Sequence, residues 1–116
     1  MATVTIFHNP RCSKSRSSLA ILNKQELEPE IRLYLENPPT ETELRSILVK
    51  LGIPARDLLR KGESDYKALN LSEPDVSETE IIKAMTEYPK LIERPIVIKK
   101  DKAVIGRPPE RILELL

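Results

Sequence analysis

The stretch Thr3-Val4-Thr5-Ile6-Phe7-His8-Asn9-Pro10-Arg11-Cys12-Ser13-Lys14-Ser15 decides how this chain reads. Thr3 to Phe7 has high strand propensity throughout, and His8-Asn9-Pro10 ends the run. After that loop, Ser13 to Asn23 carries Leu19, Ile21 and Leu22 with Ala20, which predicts a helix with one apolar side. Pro29 then opens a second β-rich run, Ile31 to Leu35. Strand, loop, helix and strand in that order make a βαβ unit, so the two strands should be parallel.

Working outward, the middle of the chain reads as helix. Thr40 and Glu43 form a capping box ahead of Leu44, Ile47, Leu48 and Leu51, with Gly52 as the C-terminal stop. Pro54 fits the first turn of a short helix through Leu58 and Leu59. Ser77 and Glu80 repeat the capping box before an apolar stripe of Ile81, Met85 and Tyr88, which Pro89 ends. The tail returns to β: Ile96-Val97-Ile98 and Ala103-Val104-Ile105 flank a Lys99-Lys100-Asp101-Lys102 hairpin loop. Pro108-Pro109 starts a last helix carrying Ile112, Leu113 and Leu116. Removing the helical middle leaves the thioredoxin arrangement. The expected class is α/β, a thioredoxin-like four-stranded mixed sheet in the order β-α-β, helical insertion, β-β-α. It forms a single domain over 1–116, with the insertion from about Thr40 to Tyr88.

Composition narrows the function. At 116 residues the chain is one ordinary domain, large enough to bury a core without covalent staples. Its one cysteine allows no internal disulfide, and an unpaired Cys in a charge-rich chain suits a reducing cytoplasm. Lys and Arg total 19 against 18 Asp and Glu, a formal net charge of +1, which leaves no electrostatic footprint for nucleic acid or an anionic membrane. The longest run without a charged residue, Met1 to Pro10, is too short to span a bilayer and lacks the basic start of a signal peptide. Three glycines cannot supply a Gly-rich phosphate loop. With modest charge and no apolar patch evident, the expected state is a monomer.

The chemistry centres on Cys12. It stands between a strand and a helix, where free N–H groups and the helix macrodipole favour an anionic thiolate. Arg11, Lys14 and Arg16 add positive charge within a turn, and His8 lies just upstream. Cys-x-x-Cys would make a self-contained dithiol, but its second position is Ser15, so any disulfide must use an external thiol. A phosphatase-type loop would need Arg where Ser18 stands. Ser15 can donate a hydrogen bond to a thiolate. Arg94-Pro95 lies just before the third strand, where a thioredoxin fold places a cis-proline facing the active Cys; only about 5–6% of X–Pro bonds are cis, so the fold context carries this expectation. Arg107-Pro108-Pro109 sits where the fourth strand meets the last helix. Arg45 and Arg56 read as solvated residues on the polar sides of helices, and Arg60 fits either class.

His8-Asn9-Pro10-Arg11-Cys12, Leu33-Tyr34-Leu35-Glu36-Asn37-Pro38-Pro39, Leu58-Leu59-Arg60-Lys61, Arg94-Pro95-Ile96-Val97 and Arg107-Pro108-Pro109-Glu110 together resemble, in order and spacing, the glutaredoxin-coupled arsenate reductase family, and most closely its short members. The resemblance covers Thr3 to Leu116. It implies that Cys12 is the nucleophile and that Arg60, Arg94 and Arg107 bind the substrate oxyanion. It further implies that His8 and Ser15, with Asn9 in the same loop, support the thiolate. Planar guanidiniums suit such a site because they grip a tetrahedral oxyanion with paired, charge-assisted hydrogen bonds. Arsenate would then be reduced to arsenite through a Cys12–arsenate adduct and a Cys12–glutathione mixed disulfide, which glutaredoxin resolves. Glutathione is a co-substrate in this scheme, and neither a metal nor a bound organic cofactor is expected.

The chain departs from the better-known members in lacking their polar tail, and in Gly106 before Arg107 and Ser-Lys-Ser-Arg after Cys12, neither of which alters the four key side chains. Two other functions compete. A glutathione-dependent thiol reductase acting on mixed disulfides would keep Cys12 and Pro95 but tolerate loss of the arginines. A regulator that binds RNA polymerase would carry the Cys-x-x-Cys that Ser15 removes, and would not need the three arginines.

Overall fold

A computed structural model describes residues 4–116; Thr3, the start of the expected first strand, lies outside the described residues. The chain divides into two compact units, one made of the chain up to Asn37 together with Arg94–Leu116, the other of Pro38–Glu93.

In the first unit, β1 (Val4–Phe7), α1 (Ser13–Lys24) and β2 (Glu30–Arg32) are joined by β3 (Ile96–Lys99), β4 (Lys102–Ile105) and a closing 3₁₀ segment, Pro109–Leu115. The sheet order is β2-β1-β3-β4, with β1 parallel to β2 and the other two pairings antiparallel. This is the thioredoxin-like mixed sheet that the sequence predicts. The apolar residues of strand β1 are buried by what packs on its faces, Val4 and Ile6 in the core cluster and Phe7 against Tyr34. Leu22 of α1 and Ile112 of the closing segment complete the core with Val4, Ile6 and Val97, edged by Leu19, Val104 and Leu115. Burial stabilises the fold by about 1.5–3 kcal/mol for each large apolar side chain.

Several boundaries differ from the expected ones. The β2 ladder stops at Arg32 rather than Leu35, because the Leu33 carbonyl accepts from the N–H groups of Glu36 and Asn37 and turns the chain. Tyr34 then buries its ring against Phe7, with centroids 6.2 Å apart, so the apolar run Leu33-Tyr34-Leu35 marks burial and not pairing. The β3–β4 loop tightens to Lys100-Asp101, since Lys99 pairs with Lys102 and Lys100 adopts φ +57°. The last helix is 3₁₀ throughout, and of its expected apolar residues only Ile112 is buried; Leu113 and Leu116 are exposed. A 3₁₀ segment has three residues per turn, which breaks an α-helical stripe.

The second unit holds α2 (Glu41–Leu51), a 3₁₀ turn at Ala55–Leu58, α3 (Ser64–Ala68), α4 (Glu78–Glu87) and a 3₁₀ turn at Pro89–Leu91. The Thr40/Glu43 capping box closes in both directions, and Gly52 ends α2 with φ +70°, a conformation in which L side chains are strained. Ser77 caps α4 by accepting from the Glu80 N–H. The α4 stripe is Ile81, Ile82, Ala84 and Met85; Tyr88, expected in it, is the exposed C-cap. The short helix α3 was not expected, as it buries no residue and so leaves no pattern. Arg56 is no solvated surface residue: its Nη1 donates to the Leu71 carbonyl and its Nη2 to those of Glu73 and Val76, clamping an irregular segment. No helix among the described residues is long and apolar enough to cross a membrane.

Candidate active site

Register in the first unit explains why distant motifs share one end of the sheet. Phe7 pairs with Ile96, and Ile96 pairs with Ile105. The next residues along each strand, His8 onward, Pro95 and Arg94, and Gly106 and Arg107, therefore all leave from that end. The Gly106 N–H continues the ladder by donating to the Pro95 carbonyl at 2.9 Å. Arg107 Nη1 donates to the Arg94 carbonyl at 3.1 Å, so the two arginine segments are tied directly. The Arg94–Pro95 peptide is cis, as expected; so is Arg107–Pro108, where the sequence predicts only a helix start.

Cys12 is the N-cap residue of α1, with φ −94° and ψ 124°. Its N–H donates to the Asn9 carbonyl at 3.0 Å and its carbonyl accepts the Arg16 N–H. Its side chain makes no capping hydrogen bond, and α1 has no acidic residue in its first turn. The thiol thus sits at the positive end of the helix with no carboxylate of that turn competing for the field. It is only 8% exposed.

The loop before it is held by three local bonds. Arg11 N–H donates to Asn9 Oδ1, Arg16 Nη1 to the Pro10 carbonyl, and Asn9 N–H to Ser15 Oγ, each at 3.0 Å. Ser15 Oγ also shares a 2.6 Å hydrogen bond with His8 Nδ1, and both side chains are buried. The Ser15 hydroxyl is therefore the post around which the loop winds. Burial, and secondarily the charge of Arg16, lowers the His8 pKa from its ordinary 6.5. The ring is neutral at neutral pH, so His8 supports the loop by position and not by charge.

Arg60 belongs to the second unit. An isolated bridge between Leu59 and Ile92 and the bond from Arg60 N–H to the Leu91 carbonyl fix its backbone. Its guanidinium is ion-paired with Glu63, and its Nε lies 3.5 Å from Glu93 Oε1. The structure thus gathers Cys12, His8, Asn9, Ser15, Arg94 and Arg107 in one unit and holds Arg60 between two carboxylates in the other.

One feature of the site escaped the sequence. Gly106 is buried, and a Cβ there would lie 2.5 Å from Ser18 Oγ, 2.9 Å from Pro95 Cγ and 3.3 Å from Ile112 Cγ2. A glycine at a strand end was the available signal, since it marks close approach of another segment.

A family model described as the ArsC family matches residues 7–115. The chain belongs to the ArsC family. Among its relatives, the arsenate reductase of Haemophilus influenzae is 51% identical over 115 residues, covering 98% of this chain and 99% of that protein. Protein YfgD of Escherichia coli strain K12 is 52% identical over 114 residues, covering 97% and 96%. The solved arsenate reductase of Vibrio cholerae superposes with a TM-score of 0.97 at 46% identity, over 99% of this chain and 98% of that one. The ArsC match spans Cys12, Arg60, Arg94 and Arg107, and with them the whole of both units save a few terminal residues.

Proposed function

We propose that this protein is an arsenate reductase in which Cys12 is the only protein thiol used, with glutathione and glutaredoxin as the reductants. The observation that carries the proposal is the common sheet end from which the Cys12 loop, Arg94 and Arg107 all leave, with the nucleophile at a helix N-terminus and the Arg107 guanidinium donating to the Arg94 carbonyl. Relatives named arsenate reductases across the full length support the substrate.

In the proposed reaction Arg60, Arg94 and Arg107 hold the oxyanion. The Cys12 thiolate displaces one oxygen of dihydrogen arsenate. That oxygen leaves as water with a proton from solvent, and a sulfur–arsenic(V) bond forms. The thiol of glutathione then attacks Cys12 Sγ. A disulfide forms, the sulfur–arsenic bond breaks, and its electron pair stays on arsenic, which departs as arsenite carrying the thiol proton. Glutaredoxin takes the glutathionyl group by thiol–disulfide exchange and regenerates the Cys12 thiolate. With Ser15 at the second position of the would-be Cys-x-x-Cys, the loop has no resolving thiol of its own, which makes external thiols necessary. Such chemistry belongs to a reducing compartment such as the cytoplasm.

The test is coupled NADPH oxidation with glutathione, glutathione reductase and glutaredoxin, with and without arsenate, against Cys12→Ser. Arsenate-dependent turnover that vanishes in the variant is expected. Turnover of mixed disulfides without arsenate, surviving alanine at Arg60, Arg94 and Arg107, would replace this reading with a general thiol reductase.

A further inference from the structure

A cleft of about 270 Å³ opens within the first unit beside the Cys12 loop. His8 through Arg11 supply part of its lining, and Leu33, Leu35 and Glu36 supply the rest. Asn9, in that lining, also accepts the Cys12 N–H through its carbonyl, so the cleft and the nucleophile share one short loop.

Its chemistry is not that of an oxyanion site. It carries one cation, Arg11, and one anion, Glu36, both exposed; among the described residues neither side chain forms an ion pair. Asn9 Oδ1 occupies the Arg11 backbone N–H and not the guanidinium. The Glu36 carboxylate would repel arsenate. Leu33 and Leu35 add apolar surface to the same lining, and their turn is set in advance. The Leu33 carbonyl accepts from Glu36 N–H at 3.0 Å and Asn37 N–H at 2.9 Å, while Tyr34 is anchored on Phe7. A preformed, largely apolar cleft with a few placed polar groups is the usual form of a small-molecule site.

A ligand that complements an unpaired cation and anion beside apolar side chains carries both a carboxylate and an ammonium. We propose that this cleft binds the reductant, a peptide thiol of the glutathione kind. One of its two carboxylates would meet Arg11, its ammonium would meet Glu36, and its methylene groups would lie on Leu33 and Leu35, with its sulfur delivered to Cys12. The proposal rests on the reductase reading and adds to it that oxyanion and thiol enter by different groups.

S-methylglutathione, which cannot react, is the probe. Titrated into ¹⁵N-labelled protein, it is expected to shift the amides of residues 9–11 and 33–37 at millimolar concentration, the range for a small, solvent-open site. Arg11→Gln and Glu36→Gln should each weaken that binding about fivefold, the size of one lost charge pair at a partly exposed site. In the coupled assay Glu36→Gln should raise the KM for glutathione by a similar factor and move that for arsenate by less. Shifts confined to other residues, no shifts at all, or variants that bind S-methylglutathione like the parent would each overturn the proposal. If arsenate turnover is absent while those shifts and losses occur, the cleft stands and the arsenate reading fails.

Discussion

Gly106→Ala is the sharpest probe of how the two arginine segments are set. Cβ atoms do not approach other heavy atoms within 3.0 Å, and here two contacts violate that limit, 2.5 Å to Ser18 Oγ and 2.9 Å to Pro95 Cγ. Ser18 is fully buried, and Pro95 is buried in the peptide that carries Arg94, so neither can swing into solvent. Overpacking of this kind costs about 1–3 kcal/mol. Among the described residues Ser18 Oγ has no hydrogen-bond partner, so Ser18→Ala removes an unsatisfied buried hydroxyl and should be neutral or stabilising by about 1 kcal/mol. It also removes the shorter clash. The double variant should therefore recover part of the loss, with a coupling of about 0.5–2 kcal/mol, while the Pro95 contact keeps the recovery incomplete. Urea unfolding of the four proteins measures this cycle. Because Gly106 N–H bonds the Pro95 carbonyl and the next residue, Arg107, bonds the Arg94 carbonyl, the single variant should also raise the arsenate KM. A Gly106→Ala protein within about 0.5 kcal/mol of the parent, or strictly additive effects of the two substitutions, would refute the argument.

Three further outcomes are expected. His8 is the chain's one histidine and its pKa is lowered in the folded state, so the unfolded chain takes up the proton first. Stability is then complete above pH 6.5 and is lost as pH falls below it, by at most about 1.4 kcal/mol per pH unit; His8→Gln should flatten that part of the curve, and parallel curves for both proteins would count against a buried neutral ring. Arg56→Lys should destabilise by about 2 kcal/mol and quicken proteolysis between residues 71 and 76, because one ammonium cannot serve three carbonyls in a fixed fork; equal urea midpoints would show the clamp to be idle. Glu63→Gln should lower the arsenate KM about two- to fivefold by removing a carboxylate that competes for Arg60, and an unchanged or raised KM would mean that the ion pair and the substrate do not compete.

What the sequence made legible is what local physics decides. The β1–loop–α1 run, both N-caps and the Gly52 stop depend on residues within a turn of each other, and each formed where its residues stand. Leu33-Tyr34-Leu35 misled because burial and strand pairing demand the same apolar residues, and only the Leu33 carbonyl, by turning the chain, separates them. Leu113 and Leu116 misled through period: an α-helical stripe was counted onto a 3₁₀ segment. Arg56 was illegible because its partners are main-chain carbonyls 15 to 20 residues away, and carbonyls leave no mark on a sequence.

The site divides along the same line. Cys12 could be read from its place between strand and helix, and the company of Arg94 and Arg107 follows from pairing Phe7 with Ile96 and Ile96 with Ile105. Charge could not be read in this way. The sequence presents His8 and Arg60 as cations at hand, yet burial makes the ring neutral and Glu63 and Glu93 engage the guanidinium. Holding a guanidinium with carboxylates offsets the cost of keeping it charged while half-buried, and under the proposed reaction an oxyanion taken by Arg60 would exchange places with them. If arsenate is the substrate, Arg94 and Arg107 can define its first position by geometry, because hydrogen bonds through Pro95 and Arg94 carbonyls already tie their segments. Arg60 can contribute only to the extent that the substrate outcompetes Glu63. Its effect should accordingly weaken when the oxyanion carries less charge, so that sulfate and phosphate, as competitive inhibitors, should differ more against the parent than against Glu63→Gln.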